Sequence, residues 1–191
     1  AVILNVPNLV TLSRIILIPL FVGLYYLPDS WLTEHNRNLA ATLLFIFASL
    51  TDWLDGYLAR RLNQMSAFGA FLDPVADKLI VMGALVVLLF LNRVDMLVAL
   101  IIIGREIAIS ALREWMAKVG QSKSVAVAFV GKLKTVSQMV AIPLLLYHEP
   151  LFGLVDSQWL GTVLINVAAV LTVVSMLYYL RRALPHATLR S

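Results

Sequence analysis

Long apolar runs separated by short polar breaks set the pattern of this chain. Six runs are each close to the roughly 20 residues that a helix needs to cross a bilayer, and they cover residues 9–27, 39–58, 74–91, 94–114, 125–147 and 158–180. Polar and turn-forming residues collect in the breaks, as at 28–30, 35–38 and 148–150. The pattern predicts an all-α, polytopic membrane protein with six transmembrane helices. Residues 1–191 are expected to form a single membrane domain, because no break is long enough for a second one.

Composition supports this assignment and narrows the chemistry. The chain is 61% hydrophobic and 14% charged, whereas soluble domains have roughly 45–50% apolar residues. It contains no cysteine, which excludes disulfides, thiolate nucleophiles and zinc–thiolate sites. The formal net charge is +4, but no basic segment lies outside the apolar runs, so nucleic acid is not an expected partner. Whether the protein is a monomer or a homodimer stays open.

The basic residues indicate an orientation. If both termini lie on one side, nine lysines and arginines occupy that side, whereas the opposite breaks hold only Arg37 and Arg93. By the positive-inside rule, both termini are expected in the cytoplasm. The end of the second helix and the beginning of the third then lie at the cytoplasmic face, and a site formed there would open to the cytosol.

Four aspartates occur at that face, where apolar residues would be cheaper to insert. Ionisable residues inside a membrane are functional by default. Helical spacing places Asp52, Asp55 and Arg60 on one stripe, and Asp73 and Asp77 are spaced by four. Carboxylates without nearby histidine or cysteine favour Mg²⁺ or Mn²⁺ over zinc. Two such ions would balance four negative charges and could assist in-line displacement at phosphorus.

Pro74 leaves the start of the third helix open. If the helix begins near Gly69, Asp73 and Asp77 form a second acidic stripe facing the first. Alternatively, Asp73 is an N-cap and Pro74 the first helical residue, because proline is favoured there and disfavours helical dihedrals in the residue before it.

The aspartates belong to a longer pattern. Asp-x2-Asp-Gly-x2-Ala-Arg-x8-Gly-x3-Asp-x3-Asp resembles the signature of the CDP-alcohol phosphatidyltransferases, and it is filled by Asp52, Asp55, Gly56, Ala59, Arg60, Gly69, Asp73 and Asp77. The resemblance implies a six-helix membrane enzyme, which in bacteria lies in the inner membrane. Such an enzyme exchanges CMP on a CDP-linked lipid for an alcohol, and the aspartates hold two metal ions.

The resemblance also implies individual roles. Asp77 would be the general base, Arg60 would contact the pyrophosphate, and the cytidine would lie against Gly56, Ala59 and Gly69. Further contacts to CDP-diacylglycerol are implied for Asn8, Thr11 and Ser66. The alternative for Asn8 and Thr11 is a helix N-cap, and for Ser66 a loop or capping residue.

A second polar set follows the aspartates and bears on the acceptor. Arg105, Arg113, Lys132 and Lys134 could hold a phosphate group. The alternatives are pairing of the arginines with Glu106 and Glu114, and interfacial snorkelling of the lysines. The segments around these residues resemble the bacterial family members whose acceptor is sn-glycerol 3-phosphate. That resemblance predicts transfer of a phosphatidyl group from CDP-diacylglycerol to sn-glycerol 3-phosphate, with phosphatidylglycerol, serine and inositol phosphate as alternative acceptors.

Two further points stay open. Divalent-cation transporters also place acidic residues between helices, but here the outer halves of the predicted helices continue no polar path, which disfavours transport. Arg14 lies within the first predicted helix, where it could snorkel to the inner surface or contact a substrate.

Overall fold

The computed structural model describes residues 6–63, 67–118 and 125–188, and in these ranges the chain forms six α-helices. The helices are α1 (Val6–Gly23), α2 (Glu34–Arg61), α3 (Ala67–Phe90), α4 (Met96–Lys118), α5 (Val125–Tyr147) and α6 (Ser157–Thr188), with a short 3-10 helix at Leu24–Tyr26 after α1. The all-α prediction is therefore confirmed for the described residues.

Three helix boundaries differ most from the sequence-based expectation. Helices α2 and α3 begin earlier, and α6 continues to Thr188 instead of ending near residue 180. α3 begins at Ala67, so Asp73 and Pro74 lie inside it and the interpretation of Asp73 as an N-cap is wrong. Proline removes only one backbone donor, and membrane helices tolerate this when neighbouring elements satisfy the freed carbonyl. Residues 35–38, predicted as a break, form the first turn of α2, because Thr33 caps this helix and its hydroxyl accepts from the Asn36 backbone N–H.

Contacts between side chains fix the relative directions of the helices. Arg14 of α1 reaches Asp52 of α2, and just after the end of α1 the Leu24 carbonyl accepts a hydrogen bond from Arg37 near the start of α2. These two helices are therefore antiparallel. Ser49, in the second half of α2, contacts Met139 of α5. Arg93 bonds both Asn38, near the start of α2, and the carbonyl of Leu146, near the end of α5.

The antiparallel arrangement separates an apolar core from a polar end. The core takes side chains from all six helices, with Phe21, Phe45, Leu88, Leu145 and Ile165 almost wholly buried. Three buried charged residues lie beyond this core, towards the end of the bundle where α1 begins and α2 ends. They are Arg14, Arg105 and Lys134. The fold thus gathers these three buried cations, from α1, α4 and α5, at one end.

Two of the described segments are long and apolar enough to cross a membrane, Val6–Tyr26 and Ser157–Arg181. Only 17% of the apolar stretch in the first and 33% of that in the second is buried inside the protein. Their exposed faces carry large apolar side chains such as Ile16, Leu20, Val170 and Leu177. Such faces are unusual in a soluble monomer and suit contact with lipid.

Candidate active site

A buried arginine joins two of the predicted site aspartates. Nη1 of Arg14 lies 2.7 Å from Oδ1 of Asp52 and 2.7 Å from Oδ1 of Asp77. Because both oxygens contact the same nitrogen, they lie within about 5.4 Å of each other, twice that distance. The Arg14 side chain is fully buried, whereas the two carboxylates are about two-fifths exposed. The structure therefore brings one aspartate of α2 and one of α3 together, as predicted. They meet around Arg14, a residue to which the sequence analysis assigned no role.

A cavity of about 270 Å³ opens beside this pair. Asp52 and Asp77 line it together with residues from α3, α4 and α5, namely Lys78, Arg105, Glu106, Lys134, Thr135 and Gln138. Carboxylates and cations thus face one shared space.

The cationic wall of the cavity is organised by Glu106. Oε1 of Glu106 accepts hydrogen bonds from Nη1 of Arg105 and from Nζ of Lys134, each at 3.2 Å. Lys78 donates to the Ser110 hydroxyl, which itself donates to the Glu106 backbone carbonyl at 2.7 Å. Three cations and one carboxylate leave a formal excess of two positive charges. This excess suits a dianionic phosphate.

An ion pair with Glu106 and a place in the cavity wall are therefore compatible for Arg105 and Lys134. Arg105 pairs with Glu106, as the alternative interpretation proposed, and it also lines the cavity, as the binding interpretation proposed. Lys134 is 4% exposed and is oriented by the same carboxylate. Lys132 is exposed on α5, and the cavity is formed without it.

The predicted nucleotide contacts of α1 lie on the face that carries Arg14. Asn8 and Thr11 are both buried, and the Thr11 hydroxyl donates to the Pro7 carbonyl at 3.1 Å. Since α1 already includes Val6, neither residue is the N-cap of this helix, and the capping interpretation is wrong. Arg60 of α2 is exposed near the end of its helix.

Several predicted positions are placed only by their backbone. Asp55, Gly56 and Ala59 lie in α2, Gly69 and Asp73 in α3, and Arg113 in α4; their side chains are outside the described part of the structure. Ser66 lies outside the described residues altogether. Among the side chains that are described, no group of three carboxylates or histidines converges.

Sequence reasoning missed four residues of the site. Arg14 was noticed but not assigned, and Lys78, Glu106 and Gln138 were not predicted to line it. The charge of Arg14 in an apolar helix was a signal, as was the position of Lys78 directly after Asp77. The i, i+4 spacing of Lys134 and Gln138 was a signal that they share a helix face, and the structure places Gln138, 3% exposed, in the lining of the same cavity.

Comparison with known proteins identifies the family of this chain. The family model of the CDP-alcohol phosphatidyltransferases matches residues 4–174. The chain belongs to this family. Among curated family members, it is 50% identical over 181 residues to the CDP-diacylglycerol--glycerol-3-phosphate 3-phosphatidyltransferases of Escherichia coli (strain K12) and Shigella flexneri serotype 5b (strain 8401), and each match covers 94% of both chains.

CDP-alcohol phosphatidyltransferases are generally dependent on divalent metals, and the described residues fit such an ion. Asp52 and Asp77 supply hard oxygen ligands close enough to share a cation. The backbones of Asp55 and Asp73 lie about one helical turn away, on α2 and α3 respectively. These four positions could hold metal beside the cavity that Asp52 and Asp77 line.

Proposed function

We propose that this protein transfers the phosphatidyl group of CDP-diacylglycerol to sn-glycerol 3-phosphate and releases CMP. The product would be phosphatidylglycerophosphate. The observation that carries the proposal is the shared cavity, in which Asp52 and Asp77 face Arg105, Lys134 and Lys78. The names of relatives that match nearly the whole chain support the same reaction.

The acceptor would lie across the cavity. Its phosphate would contact Arg105 and Lys134, which Glu106 holds in place, and Lys78 adds a third charge. Lys132, near the start of α5, and Arg113, near the end of α4, remain proposed contacts. With its phosphate on the cationic wall, the acceptor would present its primary hydroxyl to the carboxylates, so that binding itself provides the orientation.

The transfer would be an in-line displacement at the lipid-linked phosphorus. The primary hydroxyl oxygen forms a new bond to that phosphorus while the bond to the CMP oxygen breaks, and CMP leaves with the bonding electrons. Asp77 lines the cavity and is proposed to take the hydroxyl proton as general base. Mg²⁺ or Mn²⁺ ions on Asp52, Asp55, Asp73 and Asp77 would neutralise charge on the phosphates.

The CDP-diacylglycerol headgroup would lie against α1, α2 and the start of α3. Arg60 is proposed to contact the pyrophosphate, and Gly56, Ala59 and Gly69 to leave room for the cytidine. Asn8, Thr11 and Ser66 are proposed as further contacts. The burial of Asn8 and Thr11 beside Arg14 supports this placement of the α1 residues, because it brings their face of α1 to the metal-binding aspartates.

The distribution of basic residues supports a proposal for the position in the membrane. We propose that all six helices span the bacterial inner membrane, with both termini and the cavity on the cytoplasmic side. The excess of basic residues at that end supports the orientation. Glycerol 3-phosphate and CMP are water-soluble and could then exchange with the cytosol, while the acyl chains stay in the bilayer.

The test is an acceptor panel with purified protein. CMP release from CDP-diacylglycerol would be measured in Mg²⁺ with glycerol 3-phosphate, serine, inositol phosphate or phosphatidylglycerol. Glycerol 3-phosphate should support release far better than the others, and excess chelator or Asp52→Asn should abolish it. A different preferred acceptor would refute the substrate assignment, and full activity in chelator would refute the metal assignment.

A further inference from the structure

Gln138 has a buried amide oxygen that the described part of the fold does not use. The residue lies on α5, one turn after Lys134, and is 3% exposed. Among the described residues, none donates a hydrogen bond to its Oε1. Buried polar atoms are nearly always hydrogen-bonded, so an oxygen without a donor, on a residue that lines a cavity, marks a place where a ligand can donate one.

The position of Gln138 in the cavity is specific. Its neighbour Met139 contacts Ser49, about one turn before Asp52 in α2, and the following turn of α5 enters the apolar core at Ala141 and Ile142. Gln138 is therefore the last polar side chain of α5 before the core, and it forms the core-side wall of a cavity whose other walls are carboxylates and cations.

The proposed acceptor has three polar groups, and two of them are already matched. The phosphate fits the cations Arg105, Lys134 and Lys78, and the reacting primary hydroxyl fits the carboxylates. The secondary hydroxyl is the remaining group, and it can donate a hydrogen bond to an acceptor in the cavity wall. A carboxamide oxygen is such an acceptor.

We infer that Oε1 of Gln138 accepts a hydrogen bond from the secondary hydroxyl of glycerol 3-phosphate and thereby selects this acceptor over phosphorylated alcohols that lack it. The inference rests on the proposed function. A site built to bond a hydroxyl rejects the analogue without it, because the buried partner is then left unpaired. For one neutral hydrogen bond we expect a preference of about 10- to 100-fold in kcat/KM.

The probe is 3-hydroxypropyl phosphate, which keeps the phosphate and the primary hydroxyl but has no secondary hydroxyl. The values of kcat/KM for this compound and for glycerol 3-phosphate would be measured in the wild type, Gln138→Leu and Gln138→Glu. Met139→Leu is the matched control, since Met139 also lines the cavity. The KM for CDP-diacylglycerol would be followed in each protein, and thermal unfolding would verify folding.

Wild type and Met139→Leu should prefer glycerol 3-phosphate. Gln138→Leu should lose that preference because kcat/KM falls for glycerol 3-phosphate alone, with the KM for CDP-diacylglycerol unchanged. Gln138→Glu should keep the preference ratio, even though its charge opposes the substrate phosphate and lowers activity with both acceptors. If Gln138→Leu does not fold, Gln138→Met is expected to show the same loss of preference.

Three results would overturn the inference. An equal fall for both acceptors in the leucine variant would indicate a structural role, a raised KM for CDP-diacylglycerol would indicate a nucleotide contact, and no preference in the wild type would show that the secondary hydroxyl is not recognised. Failure of the wild type to use either acceptor is a separate result, because it would refute the proposed function itself.

Discussion

Arg14 connects two helices through a single nitrogen atom. Its Nη1 contacts carboxylate oxygens of both Asp52 and Asp77 at 2.7 Å, and its side chain is fully buried. A buried charge is tolerated only when it is paired, and here the pairing also counteracts the repulsion between two carboxylates. The residue therefore stabilises the acidic cluster by supplying part of the positive charge that bound metal would provide.

Arg14→Gln is predicted to destabilise the metal-free protein. Without the guanidinium, Asp52 and Asp77 repel each other, and the unfolding free energy in chelator should fall by about 1–3 kcal/mol. Saturating Mg²⁺ should raise the thermal midpoint of the variant more than that of the wild type, because the ion then supplies the missing charge and binding to the folded state stabilises it. Thermal unfolding with and without Mg²⁺ measures both effects.

Arg61→Gln is the control for this experiment, since Arg61 is an exposed cation near the same end of α2. Its removal should leave the unfolding free energy and the Mg²⁺ response close to those of the wild type. An identical Mg²⁺ response in Arg14→Gln and the wild type would contradict the idea that Arg14 and the metal share the same carboxylates.

Asp77 is predicted to act mainly in proton transfer. Asp77→Asn should retain measurable binding of metal and CDP-diacylglycerol while kcat falls by about 100-fold or more, the usual scale for loss of a positioned base. Titrating Mg²⁺ against this variant separates the two candidate roles. If high Mg²⁺ restores its rate, ligation is the main role and the assignment as base is wrong.

At the scale of the elements, α5 and α6 form the most extensive helix pair of the described bundle. Gly161 of α6 allows their close approach. A Cβ built at this position would lie 2.8 Å from Cγ of Leu145 and 3.2 Å from Cβ of Leu144. Leu145 is itself fully buried, so it has little room to move away. Small residues commonly permit such packing between membrane helices.

Gly161→Ala is therefore predicted to destabilise the protein by about 1–3 kcal/mol through overpacking. The change should appear as a lower thermal midpoint in detergent. Gly23→Ala is the matched control, because no atom lies within 4 Å of the Cβ it would add and its backbone is already helical at φ −62° and ψ −25°. A midpoint for Gly161→Ala equal to that of the control would show that α5 and α6 separate easily.

At the scale of the whole molecule, the bundle has one polar end with the cavity and an apolar core beyond it. The opposite end is held by Arg93, which donates to the Leu145 and Leu146 carbonyls and to Oδ1 of Asn38. These bonds tie the loop after α3 to α2 and α5. The orientation of the two ends in the membrane stays a proposal, and the absence of cysteine makes it directly measurable.

Single cysteines introduced at the two ends of the bundle are predicted to react with a maleimide from opposite sides of the membrane. Ser30→Cys, in the exposed segment before α2, should react with a membrane-impermeant maleimide in intact inner-membrane spheroplasts. Leu62→Cys, in the exposed turn after α2, should react only after permeabilisation. The cysteine-free protein is the control for background labelling. The reversed pattern would place the cavity outside and contradict the proposed orientation.

The sequence alone determined the class of the fold and predicted that Asp52 and Asp77 lie close together. Apolar runs of membrane-spanning length predicted the helices, because the period and extent of hydrophobic residues depend little on tertiary context. Helical spacing likewise predicted that Asp52 would face the carboxylates of the third helix, and Asp77 does meet Arg14 together with it. Family membership followed from the fixed spacing of the same residues and was confirmed by comparison.

Only the tertiary structure decided how the remaining groups combine. Arg14, Glu106 and Gln138 are far apart in the chain, and their roles depend on which helix faces meet, which local patterns do not specify. The same holds for Pro74, whose local preference for a helix start was overridden by a helix beginning at Ala67. The sequence supplied the charged residues, whereas the packing of α1 to α5 decided which become partners and which line the cavity.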